Sequence, residues 1–175
     1  MKNLSEAQIY VGTYAKYNNG SIFGEWLNLS DYSNREEFDE ACRELHKDEE
    51  DPEYMFQDWE NIPEALIGES WMSDDIFEII EAISDLSKSN QEAFFLWLDN
   101  GSYDLDTNDI AGQINRFHDD YQGVYQNEEE YAYAVVEECY DLPEFALRYF
   151  DYESFARDLF MSDYWFDSGH VFRHS

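Results

Sequence analysis

Positive charge is nearly missing from this sequence. Ten Lys and Arg stand against 41 Asp and Glu, a formal net charge of −31 over 175 residues. The few bases are also scattered. Between Lys47 and Lys88 lie 14 acids and no base, and between Arg116 and Arg148 lie nine more. No segment can track a phosphate backbone, which argues against direct nucleic-acid binding. Such a field repels DNA and attracts a protein that carries a basic groove.

Cysteine is equally sparse. Cys42 and Cys139 alone make no disulfide framework, and each falls on the expected apolar side of a helix, which fits a reducing cytoplasm. Long apolar runs are missing too. The longest, Ala93 to Leu98, has six residues, far fewer than a bilayer span needs. The opening MKNLSEAQIY has no apolar core of a secretory leader. A cytoplasmic protein without membrane contact is the expectation. Aromatic residues, in contrast, reach 18% and hydrophobic residues 43%. Disordered acidic chains lack such residues, so this is a folded protein with an acidic surface. Self-repulsion favours an elongated shape that spaces the charges.

The most informative stretch is Asn127 to Phe145. It holds Glu128, Glu129, Glu130, Glu137, Glu138, Asp141 and Glu144, with no Lys or Arg. Tyr131, Val135 and Cys139 recur at helical spacing beside Ala132 and Val136, the pattern of an amphipathic helix. Asn127 is placed to cap it, and three acids in the first turn suit the helix dipole. The acids at its other end oppose the dipole, so the negative charge itself is selected.

Elsewhere the sequence predicts an α+β chain of three small modules: residues 1–61, 62–103 and 104–175. In the first, residues 8–29 read as a β-hairpin turning at Asn18-Asn19-Gly20. Ser33 with Glu36 reads as a capping box, opening a helix that buries Phe38, Ala41, Cys42 and Leu45. Tyr54 to Glu60 reads as a return strand. The middle module is helical, with Pro63 at a first helical position. A helix capped by Ser73 buries Ile76, Phe77, Ile79, Ile80 and Ile83, and another runs from Asn90 to Leu98. The third module combines a short helix over Ile110 to Phe117 with a strand at Tyr121 to Tyr125, a candidate edge for pairing across a two-fold. The acidic helix follows, then a turn opened by Pro143 and a helix over Tyr152 to Leu159. A closing hairpin turns at Asp167-Ser168-Gly169.

Catalytic patterns fail on inspection. With 41 carboxylates, paired acids carry no information. Asp104, Asp106 and Asn108 resemble the start of an EF-hand loop, yet Asp109 stands where Gly is needed and Asn115 where Glu is needed. His170 and His174 lack a third metal ligand. Glycine-rich phosphate loops and nucleophile elbows are missing. No cofactor or metal is expected, nor is an enzyme.

The run Tyr149-Phe150-Asp151-Tyr152-Glu153-Ser154-Phe155-Ala156-Arg157-Asp158-Leu159, with the closing Gly169-His170-Val171-Phe172-Arg173, resembles the ending of ArdA-type antirestriction proteins. The opening agrees through Ile9-Tyr10-Val11-Gly12-Thr13-Tyr14, Tyr17-Asn18-Asn19-Gly20 and Gly24-Glu25-Trp26-Leu27, as does Gln57-Asp58-Trp59-Glu60. The resemblance implies a protein of mobile elements, plasmids or conjugative transposons, that acts in the cytoplasm of a bacterial host. It implies an elongated homodimer that mimics bent duplex DNA and occupies the DNA groove of type I restriction–modification enzymes, on their specificity and methyltransferase subunits. It also places the family's antirestriction motif on the acidic helix. On this reading the partner-binding surface comprises Asp48, Glu49, Glu50 and Asp51; Asp74, Asp75, Glu78, Glu81 and Asp85; Asp119 and Asp120; and Glu128, Glu129, Glu130, Glu137, Glu138, Asp141 and Glu144. The alternative from composition alone is an acidic module or chaperone for another basic DNA-binding protein, such as a nucleoid protein.

Overall fold

The computed structural model describes residues 3–174. Helices and three small antiparallel sheets make an α+β fold. The chain divides into two compact units, the described part of Met1–Glu92 with Asp104–Ala111, and that of Ala93–Tyr103 with Gly112–Ser175.

The first unit is built on a sheet of order β2-β1-β3, with β1 at Gln8–Thr13, β2 at Glu25–Asn28 and β3 at Tyr54–Glu60. Ile9 lies opposite Leu27 on one side and Trp59 on the other. The expected hairpin is present, but its connection is a helix. α1 spans Tyr14–Asn18, and the Thr13 side chain accepts the Lys16 N–H at its start. Gly20, at φ 80°, ends it. The Ser21 N–H bonds Lys16 O at 2.9 Å and the Gly20 N–H bonds Tyr17 O at 2.9 Å, the paired closure of a Schellman motif. Asn18-Asn19-Gly20 therefore terminates a helix instead of turning two strands.

α2 spans Arg35–Leu45. Its cap is Asn34, one residue later than expected: Asn34 Oδ1 accepts the Glu37 N–H at 3.0 Å, while Glu37 Oε2 accepts the Ser33 N–H at 2.7 Å. Asn34 and Glu37 form the reciprocal pair because each then satisfies a backbone donor that has no helical partner. Phe38 and Cys42 are buried. Pro63 precedes a 3₁₀ turn, Glu64–Leu66, not a helix, and a two-residue hairpin of β4 (Ile67–Gly68) and β5 (Trp71–Met72) follows. α3 spans Ile76–Ser84 and buries Ile76, Ile79 and Ile83. The Arg35 guanidinium ties α2 to the entry of α3 by donating to Met72 O at 3.2 Å and Ser73 O at 3.3 Å.

The second unit takes the buried residues of α4 (Lys88–Gly101), namely Ala93, Phe94, Trp97 and Leu98, and most of α5 (Ile110–Asp120). Its sheet has the order β6-β8-β7, with β6 at Tyr121–Val124, β7 at Tyr164–Asp167 and β8 at His170–Arg173. Ser168 and Gly169, at φ 51° and 88°, make the turn of the closing hairpin; two positive φ values match strand twist. The core is aromatic: Phe117 packs edge-on to Phe94 at 5.5 Å and stacks on Tyr121 at 5.1 Å, while Phe172 stacks on Trp165 at 4.0 Å. α6 (Glu128–Cys139) packs on α8 (Tyr152–Ser162), with the short α7 (Glu144–Leu147) between them in sequence. Tyr131 is the pivot of that packing, 5.8 Å from Phe160 and 5.0 Å from Tyr164, and burial pushes its phenol up.

Candidate partner-binding surface

The carboxylates are organised by helices. Glu78 and Glu81 lie on α3, Asp74 and Asp75 in the turn that leads into it and Asp85 at its C-cap; Asp74, Glu78, Glu81 and Asp85 recur at intervals of four, three and four residues, and with Asp75 all are exposed. Hydrophobic Ile76, Ile79 and Ile83 take the buried side, so amphipathicity itself leaves the acids in a single stripe. At 1.5 Å per residue the stripe presents one charge per roughly 5.5 Å. Arg35 Nη1 lies 3.8 Å from Asp74 Oδ1. Among the described residues no ion pair involves Asp75, Glu78, Glu81 or Asp85.

α6 carries acids at both ends. Asn127 Oδ1 caps it by accepting the Glu130 N–H at 2.9 Å. The Glu130 carboxylate turns back to accept the Gln126 N–H, and Glu128 and Glu129 complete an acidic first turn. At the other end Glu137 and Glu138 are exposed, and the last turn has no base. The buried stripe is Tyr131, Ala132 and Val136. This is rotated from the expected one: Val135 is half-buried and Cys139 is exposed. Tyr131 needs its ring between Phe160 and Tyr164, and that orientation turns Cys139 outward.

Residues 48–51 form a different environment. Lys16 Nζ lies 2.8 Å from Asp48 Oδ1, 3.3 Å from Glu49 Oε1 and 2.9 Å from His46 Nδ1. His46 is fully buried, with Nε2 3.2 Å from Val11 O, and the Thr13 hydroxyl donates to Glu49 at 2.7 Å. His46, Asp48 and Glu49 group their ligand atoms within 4.8 Å, the geometry of a cation site. The cation there is the chain's own ammonium, which also lies 4.8 Å from the Phe23 ring centre. Burial opposes the charge on Lys16, but hydrogen bonds to Asp48 and Glu49 outweigh it and raise its pKa; the same bond from Lys16 holds Asp48 below the usual carboxylate range. Glu50 and Asp51 are exposed.

Of the 18 acids expected on the surface, 16 are exposed and Glu49 is half-buried. Asp120 departs from the expectation. It is 6% exposed, and its Oδ2 accepts the Trp97 indole N–H at 2.9 Å. Its neighbour Asp119 is exposed, as are Asp141 and Glu144, the last paired with Arg148 at the C-cap of α7. α2 adds exposed acids outside the expected set, but Glu40 and Glu44 pair with Arg43 and Lys47, which lowers their field. The remaining candidates resolve into structure. Asp106 Oδ1 accepts the N–H groups of Asn108 and Asp109 at 3.1 Å each, in a loop ahead of α5. His170 is buried beside the Tyr121 hydroxyl at 2.9 Å, and His174 lies beyond the strand.

The sequence matches the model of the family "Antirestriction protein (ArdA)" over residues 9–172. The chain belongs to the ArdA family. The match takes in both units, from β1 through Phe172 in β8. No curated protein matches the sequence. Membership assigns antirestriction, and with it the role of an inhibitor of restriction, to this chain. Among the described residues no helix is long and apolar enough to cross a membrane.

Proposed function

We infer that this ArdA-family protein inhibits type I restriction–modification enzymes by presenting its acidic helices in place of bent duplex DNA. The partner is the DNA groove of the specificity and methyltransferase subunits. The observation that supports this most is the set of exposed, unpaired carboxylates on α3 and α6. A helix built for stability would place bases in its last turn, and neither α3 nor α6 has one.

The charge density limits how the mimic works. Duplex DNA carries one charge per about 1.7 Å of axis. The α3 stripe, at one per roughly 5.5 Å, supplies about a third of that. Three acidic stripes must therefore lie along the same groove, and two copies of the chain offer twice the surface of one. The dimer implied by the family resemblance fits this need. Its candidate contact faces are the outer edge of β6 and the exposed side chains Tyr133, Tyr140, Phe145 and Tyr149.

The test is competition on a purified type I enzyme with labelled target duplex. Displacement of the duplex, together with loss of cleavage, supports the reading. Cleavage that persists at large excess of the protein refutes it, and recovery of only nucleoid proteins from a cell extract would replace the partner.

A further inference from the structure

A cavity of about 440 Å³ opens in the second unit, within the range of volumes that hold small ligands. Four aromatic residues line it, Trp97, Tyr103, Trp165 and Phe166, with the carboxylates of Asp120 and Asp167. Trp97 and Tyr103 pack at 4.6 Å, and the Trp97 indole fixes Asp120 from one side. The other carboxylate oxygen, Oδ1, takes no hydrogen bond among the described residues. Among the described residues no sealed side-chain oxygen is left without a partner, so Oδ1 reaches solvent, and the cavity is the opening that Asp120 lines. Asp167 is held in place by the Asn100 amide at 2.9 Å and the Ser168 hydroxyl at 2.8 Å, and both hold its carboxyl below the usual range. Arg173 and His174 complete the lining. Two acids against one Arg leave a formal charge of −1 with His neutral.

We propose that this cavity is a socket for one arginine side chain of the partner protein, distinct from the exposed acids that supply the long-range field. A planar guanidinium is weakly hydrated, stacks on aromatic faces and bonds carboxylates in a fixed fork, which an ammonium does not. A partly desolvated carboxylate bonded to the Trp97 indole concentrates affinity at one point, in the manner of an interface hot spot. The partner rests on the reading given above, while the socket's chemistry does not.

Two arms separate them. In the first, ¹⁵N-labelled full-length protein at about 150 mM salt is titrated with N-acetyl-arginine amide and with its uncharged citrulline counterpart. The socket requires saturable shifts of the Trp97 and Trp165 indole N–H signals by the arginine probe, with the citrulline probe at least about tenfold weaker. Equal response to both probes, or shifts that spread over the exposed acids and spare these indoles, overturns it; because the wild-type protein is used, a folding defect cannot intervene. In the second arm, Asp120→Asn and Asp119→Asn remove the same formal charge inside and outside the cavity, each checked by circular dichroism. With the enzyme as partner, Asp120→Asn weakens duplex displacement about tenfold or more and Asp119→Asn less than about threefold. Equal small losses overturn the socket as a partner contact and leave the mimicry standing. A wild-type protein that displaces nothing overturns the mimicry, and the arginine titration alone then decides the socket.

Discussion

The Lys16 ammonium lies 2.8 Å from Asp48, so a cation of α1 is held against the acidic turn that follows α2. Its side chain is only 16% exposed, and it touches Glu49 and the buried His46 as well. It shields two acids from the outer field and closes the end of α1 onto residues 46–49.

Lys16→Met leaves the half-buried Glu49 without its cation. The expected loss is about 1–3 kcal/mol, the cost of stripping one partner from a part-buried charged hydrogen bond. Thermal melting measures it, and the sign against pH is fixed. Lys16 has a raised pKa, so its contribution is present below about pH 10.4 and lost as pH rises through the raised value. Asp48 has a lowered pKa, so its contribution is present above about pH 3.9 and lost as pH falls through the lowered value. The gap between wild type and Lys16→Met should be flat between these limits and shrink outside them. A gap that grows at either extreme contradicts the assignment.

The two thiols should differ sharply. Burial, with Asp39 nearby, pushes Cys42 up to about 12, whereas Cys139 is exposed at the end of α6. Since the thiolate is the reactive form, an aromatic disulfide reagent should titrate one thiol in the native protein. The second should appear only on unfolding. Two fast thiols would mean that α2 does not bury Cys42.

Neutralising the α3 stripe should weaken the inhibitor in steps. Exposed pairs are worth about 0.2–1 kcal/mol each, so Glu78→Gln, Glu81→Gln and Asp85→Asn should each lower affinity for the enzyme roughly 1.5–5-fold and together about tenfold. Glu40→Gln with Glu44→Gln removes charges that Arg43 and Lys47 already offset, and should cost less than the α3 pair Glu78→Gln with Glu81→Gln. Competition titrations with each variant check the ranking. One substitution that abolishes inhibition alone would contradict a shared load.

Salt should act on stability and on binding with opposite signs. A net charge of −31 opposes compaction, and screening relieves it, so the melting temperature should rise between about 0.05 and 0.5 M salt. A melting temperature that falls with salt would mean that the ion pairs outweigh the repulsion.

Much of this was legible in the residues. β3 occupies Tyr54–Glu60 as expected, because a β-rich run is bounded by Pro52 and Asn61. Asn127 caps α6 and Asp167-Ser168-Gly169 turns the last hairpin, since short polar side chains and glycine announce those geometries. What escaped depended on contacts distant in sequence or on very short elements. α1 has five residues and is fixed by its caps, Thr13 and Gly20, more than by periodicity. β4 and β5 have two residues each, too few to alternate. Val135 and Val136 offer equally good stripes, and only Tyr131 seated beside Phe160 decides between them. The acids on α3 were legible as a surface because helical spacing sets them opposite three isoleucines. Asp120 was not, because its indole donor lies 23 residues away at Trp97.

If charge on these helices replaces the charge of duplex DNA, the salt dependence of binding must carry its signature. The dissociation constant of the protein from a type I restriction–modification enzyme should be measured from about 50 to 200 mM salt, beside that of the target duplex on the same enzyme. Log affinity should fall linearly with log salt for both, with slopes of the same order, as expected when both displace ions from one basic groove. Binding that ignores salt, or that coexists with bound duplex, would contradict it.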